Sequence, residues 1–188
     1  MKLNPFFGTS LLVMVLLLSA SCKKEARNVT AEDAVSSASQ DAAVTKAGGA
    51  KMSNADLLKA VRQATARYHS TTQARNAGYQ ADNQCVSVPG LGGMGYHWLN
   101  PNLVDATFDP LQPEAVLYAT GPGGNLRLVA LEYIVLNKGQ ARPMFGDQPL
   151  DIGGTPLPIG PHWSLHVWLY EDNPKGMFMP FNPNVTCP

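Results

Sequence analysis

The stretch HWSLHVWLYEDNPKGMFMPFNPNVTC, residues 162–187, decides the fold prediction because it joins one strand to a long irregular tail that ends in a cysteine. Side chains alternate between the two faces of a strand, so the aliphatic residues of this one are expected on a core face. The other face would carry His166, Trp168 and Tyr170, and imidazole and aromatic groups together are typical of a pocket wall. We therefore expect one core face and one functional face here.

Two more strands are predicted upstream of this stretch. Residues 113–118 and 126–136 are apolar runs separated by a glycine-rich turn, a pattern that favours an antiparallel hairpin. Glu132 lies in the middle of the second run, and an ionised carboxylate is rarely buried without a partner. It is either a functional group or a structural one, at an edge position or paired with Arg127 or Arg142.

A helix is predicted ahead of the strands. Ser53 resembles a capping residue, apolar residues recur at spacings of three and four between Leu57 and Thr72, and Gly78 is a natural helix terminator. The spacing predicts a helix over Asn54–Ala77. The expected fold class is therefore α+β, with one long N-terminal helix packed on a small, mostly antiparallel sheet, and with long Pro/Gly-rich loops.

The first 22 residues have the organisation of an export signal. Lys2 is followed by the apolar run Leu11–Leu18, which is too short to span a bilayer, and then by Ser19-Ala20-Ser21-Cys22. Small residues directly before a cysteine resemble the lipobox of bacterial lipoprotein signal peptides, although Ser19 stands where that pattern usually has Leu. The resemblance implies a signal peptide over residues 1–21 and lipidation of Cys22. The alternative is a simple secretory signal that leaves Cys22 as a free thiol.

The predicted domain organisation follows from this start. Residues 22–52 contain no aromatic residue and few large aliphatic ones, so they are expected to be a lipid-anchored flexible tether. Residues 53–188 would form a single globular domain. The expected location is the cell envelope, at the outer face of a bacterial membrane or in the periplasm, with the membrane contacted through the N-terminal lipid. Fourteen basic and fourteen acidic residues give no net positive charge, so a nucleic-acid partner is not expected.

The cysteines predict a disulfide. The chain has three of them, and if Cys22 carries the lipid, then Cys85 and Cys187 remain as an even pair in an oxidising compartment. We expect these two to be bonded, which would hold the end of the tail near the end of the helix. A catalytic thiol is the competing interpretation, but neither cysteine lies in a recognisable nucleophile motif.

A possible metal site is the second constellation. His97, Glu132 and His166 lie on or beside predicted strands, and two imidazoles with a carboxylate form a ligand set used by Zn and by non-haem Fe. Asp105 and Glu114 are the candidate carboxylates for orienting a ligand imidazole through its second nitrogen. In the competing structural interpretation, the histidines are core or pocket-wall residues bonded to the backbone, and Glu132 is an ion-pair partner.

Three short segments carry a second resemblance. Gly93–His97 reads Gly-Met-Gly-x-His, His166–Trp168 reads His-Val-Trp, and Asn182–Cys187 reads Asn-Pro-x-x-x-Cys. The domain resembles secreted bacterial proteins that contain these segments and have no assigned activity. The resemblance implies a shared site at these residues and nothing about a substrate.

Three functions are compatible with these patterns. The first is a lipid-anchored extracytoplasmic binding or accessory module, with a ligand pocket walled by Trp98, His166, Trp168 and Tyr170. The second is a metal-dependent enzyme that uses the two histidines and the glutamate named above. The third is a structural protein of the envelope. Metal analysis would separate the second function from the other two.

Overall fold

The computed structural model describes residues 52–153 and 160–188. The predicted signal peptide, the lipidation site at Cys22 and nearly all of the predicted tether lie outside the described residues. The described residues therefore cover the globular domain expected from residue 53 onward, apart from residues 154–159. None of its helices is long and apolar enough to cross a membrane.

The domain is mostly β, and the α+β prediction with one long N-terminal helix is wrong. A curled, six-stranded antiparallel sheet forms most of the described structure, in the order β1-β2-β3-β4-β8-β7, and β5 and β6 form a separate two-stranded ribbon. The strands are β1 Cys85–Val88, β2 Gly92–Leu99, β3 Ala115–Thr120, β4 Leu126–Leu136, β5 Met144–Phe145, β6 Gln148–Pro149, β7 Asp151–Ile152 and β8 His162–Val167.

The predicted long helix is broken into short pieces. Helix α1 covers Asn54–Thr65, a 3-10 turn covers Ala66–His69, and α2 covers only Thr71–Asn76. Ser70 causes the break: its backbone is extended, at φ −88° and ψ 111°, and its side chain caps the start of α2. Serine competes with helical hydrogen bonds in this way, so a continuous apolar stripe did not guarantee a continuous helix.

The start of α1 agrees with the sequence. The Asp56 amide donates to the Ser53 side chain at 3.1 Å, as the capping pattern predicted. The hairpin prediction is also confirmed, because β3 and β4 pair antiparallel around the glycine-rich turn. Polar caps and glycine-rich turns act over a few residues, so both features could be recognised locally.

The sheet has apolar side chains on both faces. One face packs against the helices and includes Val61 of α1, together with Tyr118, Tyr133 and Leu165 of the sheet. The second face is narrower and is built mostly from small or aliphatic residues. Its buried members are Ala115, Leu117, Ala119, Val129, Ala130, Trp168 and Val185. The sheet is therefore covered on both sides, with the C-terminal tail contributing to the second side.

The disulfide prediction is confirmed. Cys85 is bonded to Cys187, with the two Cα atoms 5.6 Å apart, within the usual range for a disulfide. The tail that leads to Cys187 pairs with β2 through an isolated bridge between Gly93 and Asn182. The bond thus ties β1, at one edge of the sheet, to the tail that crosses its second face.

Tyrosine hydroxyls join the helical segment to the sheet, and the bond from Tyr118 to the Tyr68 carbonyl, at 2.6 Å, is buried. We predict that Tyr118→Phe lowers the free energy of unfolding by about 1–3 kcal/mol, because the buried carbonyl loses its donor. Urea unfolding measures this change. Tyr96→Phe is the control, since its ring packs on the same core but its hydroxyl has no hydrogen bond within the described residues. Equal losses in the two variants would contradict the prediction.

Candidate metal centre

Three strands of the sheet supply the candidate ligands. His97 is on β2, Glu132 is on β4 and His166 is on β8. Glu132 and His166 are direct partners across the β4–β8 pair, so their side chains point to the same face. His97 pairs with Leu117, which belongs to that second face as well. The local alternation of each strand therefore directs all three side chains to one side.

The three side chains converge on a common point. The two Nε2 atoms of His97 and His166 are 3.4 Å apart. The carboxylate of Glu132 lies 3.6 Å from His97 Nε2 through Oε2, and 3.9 Å from His166 Nε2 through Oε1. One ligand atom from each residue can be chosen so that all three lie within 4.8 Å of one another. This is the convergence that the sequence analysis expected of a shared site.

Curvature of the sheet makes this convergence possible. β3 and β4 lie between β2 and β8, and in a flat sheet three strand spacings would separate the outer two by about 14 Å. The second face must be concave for the imidazoles of His97 and His166 to meet above it. Small side chains at Ala115 and Ala130 lie on the intervening strands and leave room for the rings.

The site is largely shielded from solvent. The side chains of His166 and Glu132 are 7% and 12% exposed, whereas that of His97 is 21% exposed. Apolar residues including Leu117 and Trp168 are buried on the same face. The more accessible side of the site is therefore the His97 side.

Burial sets the protonation state of the histidines. It lowers the pKa of His97 to about 4, against the opposing attraction of the Asp82 carboxylate and a backbone hydrogen bond to Gly95. Burial, followed by repulsion from His97, lowers the pKa of His166 to about 3. Both rings are consequently neutral at pH 7, which is the form that binds a metal.

Burial has the opposite effect on the carboxyl group. It raises the pKa of Glu132 from 4.5 to about 8, because no fixed positive charge compensates the loss of water. The metal-free site therefore keeps one proton at neutral pH, in a cluster with two free imidazole lone pairs. Binding of a cation would displace that proton and restore the charge on the carboxylate.

The Gly95 backbone interacts with the His97 ring and partly offsets the effect of burial on its pKa. The two carboxylates considered for orienting a ligand imidazole have other partners. Glu114 accepts from the Ile134 amide, and Asp105 accepts from the Thr107 amide.

The proposed aromatic pocket wall is not assembled. Trp98 is buried on the helix-facing side, against Tyr118, because neighbouring residues of a strand point to opposite faces. Trp168 is buried on the second face. β8 ends at Val167, and Tyr170 turns back to hydrogen bond with Thr65 of α1. A separate cavity of about 240 Å³ is lined by residues between 102 and 114 and includes none of the candidate ligands.

Two contributors to the site were not recognised from the sequence. The glycines before His97 belong to a strand, Gly92–Leu99, that was not among the strands predicted above, and Gly95 has a φ of +91° within it. A Cβ atom at Gly95 would lie 2.2 Å from the Tyr118 carbonyl oxygen. The signal for Gly95 was its closeness to His97. Asp82 precedes His97 by 15 residues, and no pattern indicated it.

Comparison with known proteins gives no relative for this chain: no family model, curated protein or solved structure matches it.

Glu132 gives a test of the electrostatics in metal-free protein. Unfolded Glu132 loses its proton near 4.5 and folded Glu132 near 8, so between these values the folded state binds the extra proton. This group's contribution to stability therefore falls as the pH rises through that window. Glu132→Gln carries no such proton. With chelator present, we predict that the difference in melting temperature, Glu132→Gln minus wild type, increases by a few degrees between pH 5 and pH 8.5. A difference that does not change with pH would contradict the assignment.

Proposed function

We propose that the protein is an extracytoplasmic metal-binding module that holds one transition-metal ion on His97, Glu132 and His166, with zinc the ion that fits best. The observation that carries the proposal is the set of distances between the three side chains. The imidazole nitrogens are 3.4 Å apart, and the nearest contacts to the carboxylate are 3.6 and 3.9 Å.

These distances are too long for a good hydrogen-bonded network. Buried N–H···O bonds are usually about 2.7–3.2 Å, and every contact among the three groups is longer than that. Ligand bonds of roughly 2.0–2.1 Å place neighbouring ligand atoms about 3.4 Å apart around a tetrahedral zinc ion. The 3.4 Å between the two imidazole nitrogens matches this spacing and favours a central ion over the competing interpretation of histidines that are merely bonded within the core.

The same spacing supports zinc over ferrous iron. At a similar bond length, cis ligands of an octahedral ion are only about 3.0 Å apart, less than any of the contacts observed here. The disulfide adds a chemical argument, because disulfides persist in oxidising compartments, where ferrous iron is not maintained as zinc is. Zn²⁺ has no redox chemistry and keeps its affinity for two imidazoles and a carboxylate in that setting.

Three protein ligands leave one position of a tetrahedral ion open. At such a position zinc polarises a bound carbonyl or makes a bound water acidic near pH 7, so the site has the ligand count of a catalytic zinc centre and not of a closed structural one. The protein would supply a concave, mostly apolar surface around the ion, with access from the His97 side. We therefore keep metal-dependent catalysis as a proposed activity of the metal-bound protein.

The envelope location is proposed on separate grounds. The lipobox-like Ser19-Ala20-Ser21-Cys22 supports a lipid anchor, and pairing of the other two cysteines is what an exported chain would show. The anchor would hold the metal-binding domain at a membrane surface through the tether. In this proposal the membrane is a partner only through the lipid.

The central test is metal retention. Purified wild-type protein, loaded with zinc and passed through a desalting column, should keep about one equivalent per chain. His166→Ala should lose it, because removal of one ligand leaves two and typically weakens binding by far more than tenfold. Elemental analysis measures the ratio, and circular dichroism checks that the variant is folded.

The matched control is His69→Ala, which removes an exposed histidine that lies outside the site. It should retain zinc as wild type does. If wild-type protein retains no metal, or if His166→Ala retains as much as wild type, the metal proposal fails. A wild type without metal would favour the structural role in the envelope.

The anchor has its own test. Expressed in a bacterial host, Cys22→Ser should leave the membrane fraction or accumulate as unprocessed precursor, because serine cannot accept the thioether-linked lipid. Cell fractionation with immunoblotting measures both outcomes. A variant that fractionates and matures like wild type would contradict lipidation at this residue.

A further inference from the structure

We propose that the C-terminal strap, residues Asn182–Cys187, and its disulfide to Cys85 are positioning elements that hold His97 in the metal site, so that high-affinity metal binding requires the oxidised protein. This inference rests on the proposed metal site and assigns its regulation. It follows from where the strap is attached, which is the strand that carries His97.

The strap lies directly on the backbone of β2. The Gly93 amide donates to the Asn182 carbonyl at 3.1 Å, and the Asn182 amide donates back to the Gly93 carbonyl at 3.0 Å. A Cβ atom at Gly92 would lie 2.2 Å from the Asn182 oxygen, and one at Gly93 would lie 2.8 Å from the Val185 oxygen. No side chain fits between the two segments, so glycine is required for this contact.

The far end of the strap reaches the same strand by a covalent route. Cys187 is bonded to Cys85, and Cys85 pairs with Tyr96, the residue next to His97. Among the strands that the structure describes, β1 pairs with β2 alone, so the disulfide has its main structural effect on β2. The strap therefore holds β2 at two points, Gly93 and Tyr96, which lie just before the ligand.

The strap is also buried and internally bonded. Asn182 is fully buried, with its side-chain amide donating to the Asp172 carbonyl and its side-chain oxygen accepting from the Asn184 amide. Val185 packs into the apolar cluster of the second face. These contacts make the strap a part of the wall beside the site and not a loose tail.

His97 is the ligand that needs this support. Glu132 and His166 face each other on directly paired strands, whereas His97 lies on β2, which is separated from β4 by β3. β2 begins with three glycines in four residues, and glycine loses more conformational entropy on ordering than other residues. Gly95, two residues before His97, lies in that stretch with a φ of +91°.

The strap thus confines a segment that would otherwise sample other backbone conformations. If the disulfide is opened, the fraction of protein with His97 in place falls, and the apparent metal affinity falls by the same factor. Glu132 and His166 would remain in place, because they are fixed by the β4–β8 pair. The expected product of reduction is a folded protein with a weakened metal site.

The test compares zinc affinities by competition with a chromophoric chelator. The Cys85→Ser/Cys187→Ser double variant should bind zinc at least tenfold more weakly than the oxidised wild type, under conditions where near-ultraviolet circular dichroism shows both folded. Tyr118→Phe is the matched control, since the hydroxyl that it removes bonds on the helix-facing side of the sheet, opposite the strap, and the variant should keep wild-type affinity. An affinity of the double variant within twofold of wild type would overturn the inference.

Asn182→Ala covers the case in which the double variant does not fold. It keeps both cysteines but removes the side-chain bonds that shape the strap, and it should weaken zinc binding by several-fold. Unchanged affinity in this folded variant would overturn the positioning role in the same way. Absence of zinc binding by wild type would instead refute the metal site itself, so the two failures are distinguishable.

Reciprocity supplies a second measurement on unmodified protein. Formation of the disulfide consumes two protein thiols and converts one glutathione disulfide into two glutathione thiols. If oxidation tightens zinc binding by a given factor, then saturating zinc must shift this thiol–disulfide equilibrium by the same factor. Zinc should therefore favour the oxidised form at least tenfold in glutathione buffers. His166→Ala should lose this shift. Zinc capture by the freed thiols would favour the reduced form, so a shift in that direction would overturn the inference.

Discussion

The curl of the six-stranded sheet is the constraint on which the rest of the structure depends. In a flat sheet, the two intervening strands would hold the strands of His97 and His166 about 14 Å apart, too far for their imidazoles to meet. Glycines in β2 permit the close approach to β3, and small residues on the central strands leave space above the concave face. The same curvature gives the tail a surface to cross. Site, second core and strap are thus consequences of one deformation of an antiparallel sheet.

The arrangement of the candidate ligands lowers the stability of the metal-free protein. Two neutral imidazoles and a protonated carboxyl are crowded together with contacts too long for strong hydrogen bonds. Burial of such a group without good partners lowers stability, and proteins tolerate it where it serves function. The apolar neighbours at Leu117 and Trp168 deepen the effect by excluding water. A bound cation would reverse the balance, since it supplies the charge that the carboxylate lacks.

The features that were predicted correctly are those encoded over a few residues or by simple counting. The β3–β4 hairpin follows from its turn glycines, and the bond between Cys85 and Cys187 from the number of cysteines. The long helix failed because Ser70 is extended and caps a second short helix, while the nearby Tyr68 carbonyl is bonded to the Tyr118 hydroxyl, a partner 50 residues away that no helical pattern reveals. Trp98 was misplaced because strand alternation separates it from His97. The convergence of the three ligands depends on curvature, so the sequence indicated the residues but not their meeting point.

The disulfide also has a consequence for the order of events during synthesis. Cys85 is made 102 residues before its partner, which at typical elongation rates is an interval of about 5–20 s. Throughout that time, the chain contains one other cysteine, Cys22. A bond between Cys22 and Cys85 would leave the strap unattached when it finally emerged. Attachment of lipid to Cys22 would consume the competing thiol, so lipidation would also prevent the incorrect bond between Cys22 and Cys85.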